Sequence, residues 1–205
     1  MEDDELLPNG KSITIGLYGN SKNTINTNTS QDYQRVNRLT GARDTLSFTE
    51  NIEGTVVLPS TFGIGLMYEN FNKMRVGFDY STSQWSSYRN EAKPETLSDS
   101  YRIAVGGEYI PDINSYNNYA KKMHYRLGAF YETDPRNLNE QLTNYGITLG
   151  LGFPVILPRQ TKSFFNFALE VGQFGTSTSF KETYAKATFG FTLNDNSWFF
   201  KRRFQ

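Results

Sequence analysis

Hydrophobic and polar residues alternate along most of the chain with a period of two. The clearest run is Tyr145, Ile147, Leu149, Leu151 and Phe153, which alternate with glycine and threonine. A period of two places successive side chains on opposite faces of a β-strand. The pattern predicts nine strands, at about residues 12–19, 45–58, 62–68, 74–80, 101–109, 123–132, 145–153, 165–171 and 185–193. We therefore predict an all-β fold of antiparallel strands in up-and-down order.

Polar stretches rich in Asn, Ser, Asp and Pro separate the predicted strands. The longest, residues 20–44, contains NTINTNTSQD and is predicted to be a long polar loop. Residues 194–205 are predicted to be a short C-terminal tail. Neither a linker nor an internal repeat divides residues 1–205, so the chain is interpreted as one β-domain or as the C-terminal portion of one.

The polar faces of these strands carry charges of both signs. A water-filled barrel lumen has this character, because opposite charges pair across neighbouring strands. The predicted lumen residues are Arg75, Asp79, Arg102, Glu108, His124, Arg126, Glu132, Glu170 and Lys186.

Aromatic residues fall at the strand ends. This placement is typical of the aromatic girdles at the two interfaces of a membrane barrel. The predicted girdle residues are Tyr68, Tyr80, Tyr101, Tyr109, Tyr131, Tyr145 and Phe153. The clear strands are also long enough to cross a bilayer when tilted. We predict a transmembrane β-barrel, with a soluble β-sandwich or a lipocalin-like barrel as the alternative, since each of these has one apolar face.

Composition excludes several classes of function. Lys plus Arg and Asp plus Glu both number 21, so the net charge is zero and no nucleic-acid partner is predicted. The chain has no cysteine and one histidine, which argues against a thiolate or histidine-rich metal site. No cofactor is predicted. The N-terminal sequence MEDDE lacks the basic start and apolar run of a signal peptide.

His124 and Arg126 share the polar face of one predicted strand, with Glu108 on its neighbour. They are interpreted either as a lumen ligand or gating cluster, or as an ion-pair network that packs the interior, which we favour. No enzyme is predicted, because His124 is the sole candidate general base and no serine lies on its strand. Four residues with side-chain oxygens follow Glu108: Asp112, Asn114, Asn117 and Asn118. Such oxygens bind hard cations, but we expect a connecting turn.

Four segments, in order, resemble the FadL/TodX family of outer-membrane transport proteins. They are LPSTFGIGLMY (Leu58–Tyr68), WSSY (Trp85–Tyr88), SDSYRIAVGGEY (Ser98–Tyr109) and TYAKATFGFTL (Thr183–Leu193). The tail Phe200–Phe204 is similar to that of members from Bacteroidetes-type bacteria. The resemblance implies a 14-stranded barrel in the bacterial outer membrane, surrounded by lipid, for passive uptake of hydrophobic small molecules such as long-chain fatty acids or aromatics. It also permits an alternative: a protein-binding subunit of an outer-membrane complex such as a secretion system, with other outer-membrane proteins as partners.

Strand direction predicts that part of the barrel is missing. The resemblance implies that the last strand runs toward the periplasm, so with alternating directions the segments at 183–193, 142–153, 100–110, 62–68 and 12–19 all do so. A barrel with an even number of strands does not begin outside the cell, and an unpaired first strand would expose backbone groups to lipid. We therefore expect the chain to be the C-terminal part of a larger barrel. The resemblance implies that such a barrel also has an N-terminal hatch segment, to which nothing before residue 45 is similar.

Overall fold

A computed structural model describes residues 10–138, 140–156 and 162–193. Within these ranges the chain is almost entirely β-strand. The strands are β1 (Lys11–Asn20), β2 (Asn23–Val36), β3 (Arg43–Leu58), β4 (Thr61–Asn70), β5 (Met74–Ser83), β6 (Arg89–Asn90), β7 (Ser100–Tyr109), β8 (His124–Leu138), β9 (Glu140–Ile156), β10 (Lys162–Thr176) and β11 (Phe180–Thr192). A 3₁₀ turn covers Trp85–Ser87, and the short helix α1 covers Tyr119–Lys122. The all-β prediction is confirmed.

Eight strands form one sheet in the order β1–β4–β5–β7–β8–β9–β10–β11. Each neighbouring pair is antiparallel, as predicted. Among the described residues, the outer edges of β1 and β11 have no pairing partner. The sheet is therefore not closed into a barrel, and both the barrel and its passage through a membrane stay predictions.

The two faces of this sheet differ, as the alternation predicts. One face, here called the polar face, carries charged residues, glycines and threonines, while the apolar face carries Leu, Ile, Val, Phe and Tyr. No second layer covers the apolar face in the described part of the chain. Among the described residues, the buried hydrophobic side chains are Ile110 and Leu142. The fold is thus a single sheet rather than a sandwich around a core.

The sheet curls toward its polar face. Glu69 on β4 and Thr192 on β11 line the same cavity of about 300 Å³. Six strand spacings of about 4.8 Å would separate these two strands in a flat sheet, which is far wider than such a cavity. The end of the sheet that holds this cavity, where β1 starts and β11 ends, is called the proximal end; the opposite end is the distal end.

Strands β2 and β3 extend the sheet at its distal end as a long hairpin. Asn20 lies opposite Thr61, and three residues further along, Asn23 lies opposite Leu58. The register is the same on both sides of the break, so β1–β2 and β3–β4 are the two legs of one ribbon. Residues 23–58 are here called the arm, and its strand β2, with 14 residues at about 3.3 Å per residue, is about 45 Å long. The strand pairing of the ribbon is interrupted near Pro59, because proline has no backbone N–H to donate to the opposite strand.

Two sequence-based expectations are wrong in this region. Residues 20–44, predicted to be a loop, contain β2, which the alternation did not reveal because both of its faces are largely exposed. The omission also reversed the predicted direction of β1. Seven successive antiparallel pairings separate β1 from β11, so β1 runs opposite to β11 and not with it. The strand-direction reason to expect missing strands therefore fails. The predicted tail, 194–205, lies outside the described residues.

Candidate functional site

The polar face holds all nine charged residues that were predicted to line a lumen. Arg75 on β5 lies opposite Glu108 on β7, and Glu108 lies opposite Arg126 on β8. Directly opposed residues share a face of a sheet. The nine residues on this face are Arg75, Asp79, Arg102, Glu108, His124, Arg126, Glu132, Glu170 and Lys186. Their role as lumen or ligand contacts stays a prediction.

A proximal cluster is formed by Glu108, His124, Arg126 and Asn166. Arg126 donates from Nε to Glu108 Oε2 over 2.7 Å and from Nη1 to Asn166 Oδ1 over 2.8 Å. His124 Nδ1 lies 3.2 Å from the same Glu108 oxygen, but without hydrogen-bond geometry. The His124 ring packs edge-on against Phe164, with centroids 4.9 Å apart. One carboxylate thus faces Arg126 and His124, and the interpretation of this cluster as an ion-pair network that packs a barrel interior stays a prediction.

A second polar cluster lies near the distal end and spans five strands. Arg102 on β7 donates from Nη1 to Glu132 Oε2 over 2.5 Å. Glu132 also accepts from Asn144 Nδ2 over 2.7 Å. The Tyr184 hydroxyl on β11 lies 3.2 Å from both Asn144 Oδ1 and Glu170 Oε1. These contacts connect β7 to β11 across the polar face.

The remaining predicted lumen residues are less connected. Arg75 pairs with Glu69 at 2.7 Å, whereas Asp79 and Lys186 form no ion pair with any described residue. Over residues 10–138, 140–156 and 162–193, no group of three or more His, Cys, Asp or Glu could hold a metal ion. In that part of the chain the polar face therefore combines two clusters of paired side chains with the unpaired Asp79 and Lys186, and it has no metal-binding group.

The predicted girdle aromatics all lie on the apolar face, at two levels. Tyr68, Tyr109 and Phe153 are near the proximal end. The distal level contains Tyr80, Tyr101, Tyr131 and Tyr145. The distal rings form a row, with centroids 5.9 Å apart for Tyr101 and Tyr131 and 6.4 Å apart for Tyr131 and Tyr145. Their role as a membrane girdle stays a prediction.

The apolar face between these levels is open. Leu127, Leu149 and Phe189 have exposed fractions of 63%, 52% and 68%. A hollow of about 900 Å³ on this face is lined by residues of β5 and β7–β10, among them Val105, Leu127 and Leu149. Soluble monomers rarely expose contiguous apolar patches of more than a few hundred Å². This surface therefore needs a partner or a lipid to cover it.

The loop between β7 and β8 covers part of the polar face at the proximal end. Ile113 lines the proximal cavity, and the Tyr119 hydroxyl donates to Pro154 O over 2.9 Å. Asp112 Oδ1 accepts from Asn114 N over 3.0 Å, and Asn118 Oδ1 accepts from Ala120 N over 3.0 Å at the start of α1. These bonds stabilise a turn and a helix start, which agrees with the interpretation of Asp112, Asn114, Asn117 and Asn118 as a connection.

The arm is the main feature that the sequence did not predict. Its turn is closed by Asn37 N donating to Ala42 O and Gly41 N donating to Asn37 O, each over 2.9 Å. Gly41 has φ +70°, a left-handed conformation that glycine adopts without strain. A turn signal at Asn37–Gly41 and the spaced threonines of NTINTNT were the available clues.

The root of the arm is braced by the loop between β5 and β7. Strand β6 pairs with Val56 and Val57 of β3, and the next residue, Glu91, accepts from Thr55 N through Oε2 over 2.7 Å. The other end of this loop is fixed by Ser86, whose N–H donates to Asp99 Oδ1 over 2.9 Å. Backbone and side-chain hydrogen bonds from Ser86 hold the pKa of the Asp99 carboxyl below its ordinary value. The root is thus braced along its β3 leg, by a loop that is itself closed by the Ser86–Asp99 bond.

A comparison with protein-family models assigns the chain. The family model described as BamG matches residues 4–205, nearly the whole sequence. The chain belongs to the BamG family. No curated protein and no solved structure gives a significant match. Among the described residues, no helix is long and apolar enough to cross a membrane.

The resemblance to the FadL/TodX family is wrong. BamG is a different family, and its model covers the same segments that carried the resemblance. The strand segments among them alternate small or polar residues with aliphatic and aromatic residues, a pattern that any antiparallel sheet with one apolar face can produce. The expected uptake of fatty acids or aromatics, the hydrophobic ligand, the 14-stranded barrel and the similarity to Bacteroidetes-type transporters depended on that resemblance and lose their basis.

Proposed function

We propose that the chain is an outer-membrane subunit of the machinery that assembles β-barrel proteins. The match of the BamG family over residues 4–205 carries this proposal, because the family name denotes a component of that machinery. This is the alternative function expected from the sequence, a protein-binding subunit of an outer-membrane complex. The sequence analysis gave a secretion system as the example of such a complex. The family points instead to the complex that assembles outer-membrane proteins.

The apolar face supports a position inside the outer membrane. On β9 it runs from Tyr145 to Phe153, about 26 Å along the strand and somewhat less across a bilayer once the strand tilts. Transmembrane barrels present an apolar band about 25 Å tall between two aromatic girdles. Lipid acyl chains would cover the exposed Leu, Ile and Phe side chains, and the aromatic levels would lie at the two interfaces.

Closure of the sheet by β1 and β11 completes this proposal. Backbone N–H and C=O groups on an open edge cannot remain unpaired in lipid. The curl brings β4, the neighbour of β1, to the same cavity as β11. Since β1 runs antiparallel to β11, pairing them would give eight antiparallel strands, and bacterial barrels have even strand numbers.

The connections favour one orientation. Membrane barrels have short turns on the periplasmic side and longer loops outside the cell. Each end has one three-residue turn, residues 71–73 at the proximal end and residues 177–179 at the distal end. The two longest connections, the arm and the loop over residues 84–99, are at the distal end, whereas the proximal end has the shorter loop over residues 110–123. We therefore place the proximal end in the periplasm and the arm outside the cell.

Affinity purification from native outer membranes tests the function. The tagged full chain, extracted in mild detergent, is expected to retain the central barrel of the assembly machinery and other subunits in fixed ratios. A second outer-membrane barrel with the same tag controls for non-specific capture. Recovery of the chain without the central barrel, with depletion of the chain leaving the level of folded outer-membrane barrels unchanged, would overturn the proposal.

A further inference from the structure

The outer part of the arm, residues 31–49 and here called the arm tip, lacks the bracing that holds the root. Strand β6 reaches only Val56 and Val57, and Glu91 reaches only Thr55. Each described side chain of the tip other than Gln31 is exposed. A two-stranded hairpin without a third strand or a packed face is at best marginally stable in water. A tip of this length therefore calls for a surface that packs against it.

The tip carries apolar side chains suited to such packing. Leu39 in the turn is 97% exposed, and Tyr33 and Phe48 are 61% and 56% exposed. Val36 and Leu46 are also exposed. Exposed aromatic and aliphatic residues on a projecting element are typical anchors of protein–protein interfaces.

The charge of the tip defines what it can bind. Residues 31–49 contain three arginines, Arg35, Arg38 and Arg43, and two aspartates, Asp32 and Asp44, a net charge of +1. The arginines are concentrated at the outer end, where the sequence from Gln34 to Arg43, QRVNRLTGAR, has no acidic residue. Asp44 lies opposite Arg35, yet none of the three arginines takes part in an ion pair among the described residues. Arginine presents a planar set of donors that matches carboxylates well. The matching surface is acidic.

Distance from the bilayer argues for a protein rather than for lipid phosphates. The tip is about 45 Å beyond the sheet if the ribbon continues along its legs, and charges in physiological salt are screened within about 8 Å. Anionic headgroups at the end of the sheet would therefore have little effect on the arginines. An acidic face on another protein of the complex, outside the membrane, fits both the distance and the charge.

We propose that the arm tip docks onto an acidic protein surface of another subunit of the same outer-membrane complex. Arg35, Arg38 and Arg43 pair with carboxylates on that subunit, while Leu39 and Phe48 enter an apolar recess. The braced root holds the tip at a fixed height above the membrane. This inference rests on the proposed function, because the partner belongs to the assembly complex.

The test compares tip variants within the intact complex purified from outer membranes. The triple variant Arg35→Glu, Arg38→Glu, Arg43→Glu is expected to retain at least about tenfold less of one subunit at equal salt, while the central barrel remains bound. Arg35→Lys, Arg38→Lys, Arg43→Lys keeps the charge and should retain that subunit. Lys121→Glu, Lys122→Glu at the proximal end is the matched control and should lose nothing.

A photo-reactive residue at Leu39 identifies the contact. We expect a cross-link to the same subunit that the charge-reversed triple variant loses. A cross-link to lipopolysaccharide, or no change in any subunit with the triple variant, would overturn the docking proposal while leaving the proposed function intact. If the unmutated chain does not purify with the central barrel, the proposed function fails instead, so the two failures are distinguishable. Heat-modifiable gel mobility shows that each variant is folded.

Discussion

Arg126 on β8 reaches Glu108 on β7 with an Nε–Oε2 distance of 2.7 Å, on the concave face of the sheet. Both side chains are partly screened by solvent, so their mutual stabilisation is modest. A double-mutant cycle with Glu108→Gln and Arg126→Gln should give a coupling free energy of about 1 kcal/mol. Urea unfolding in lipid vesicles measures it. Lys186→Gln, which removes no ion pair to any described residue, should change stability by less than about 0.5 kcal/mol. A coupling of zero would show that the pair does not stabilise the fold.

The proposed membrane position predicts that the two faces respond differently to arginine. Leu149→Arg and Phe189→Arg place a charge on the apolar face, at a cost of about 2–4 kcal/mol near the bilayer centre. Thr148→Arg and Thr188→Arg place it on the polar face one residue away and should be tolerated much better. The measurement is the yield of heat-modifiable, folded chain in lipid vesicles. Equal losses of folded yield for the apolar-face and polar-face variants would contradict the assignment of the lipid-facing side.

Close backbone packing at Gly146 predicts a second contrast. A Cβ at Gly146 would lie 2.8 Å from Val171 O and 3.0 Å from the Gly172 Cα, both backbone atoms of β10. At Gly77 the nearest atom, Leu66 O, is 3.8 Å away. Gly146→Ala should therefore destabilise the fold by about 1–3 kcal/mol, whereas Gly77→Ala should be neutral or slightly stabilising. The urea concentration at the unfolding midpoint measures the stability of each variant. Equal midpoints for the two variants would mean that β9 and β10 move apart at Gly146 without loss of stability.

Local alternation was a reliable guide to the strands of the large sheet, because each has one polar and one apolar face. It identified the strand containing Leu149 and the common face of Arg102, Glu132 and Glu170. It missed β2, since the arm has no buried face and its pattern is largely polar. That single omission reversed the direction assigned to β1 and led to the expectation of missing strands.

Pairing and family could not be read from the same pattern. The register that joins Asn20–Thr61 to Asn23–Leu58 depends on residues about 40 positions apart, and alternation does not encode which strand lies opposite. Glycine alternating with aromatic residues occurs in many antiparallel sheets, so it gave the wrong family. Of the two hydrogen-bond partners of Arg126, Glu108 was predicted from the sequence. Asn166 was not predicted, because it lies two strands away and no pattern in the sequence indicated the contact.

The Ser86–Asp99 contact predicts an acid-sensitive loop. Asp99 has a pKa below that of the unfolded chain, so its contribution to stability is present above the unfolded pKa of about 4 and is lost as the pH falls through the lower, folded pKa. Hydrogen-exchange protection of the Ser86 amide should therefore be higher at pH 7 than at pH 3. Asp99→Asn keeps an acceptor oxygen without the charge and should remove most of this pH dependence. Unchanged protection of the unmutated chain between the two pH values would contradict the assignment.

Closure of the sheet is testable because the chain has no cysteine of its own. If β1 pairs with β11, apolar-face positions of the two strands become neighbours. A cysteine at Leu17 is combined in turn with one at Ala185, Ala187, Phe189 or Phe191, all on the apolar face of β11. One of these combinations should form an intramolecular disulfide in the folded chain, because directly opposed Cβ atoms lie about 5 Å apart.

The matched controls combine the cysteine at Leu17 with one at Lys186 or Thr188, whose side chains point to the polar face. These pairs should not cross-link, since opposite faces separate the thiols. Non-reducing gels of the folded, vesicle-inserted monomer give the readout. If no apolar-face pair cross-links within the monomer, but the same cysteines link the chain to another subunit of the complex, then β1 and β11 pair with a neighbouring protein. The eight strands would in that case be part of a shared wall and would not form a barrel of their own.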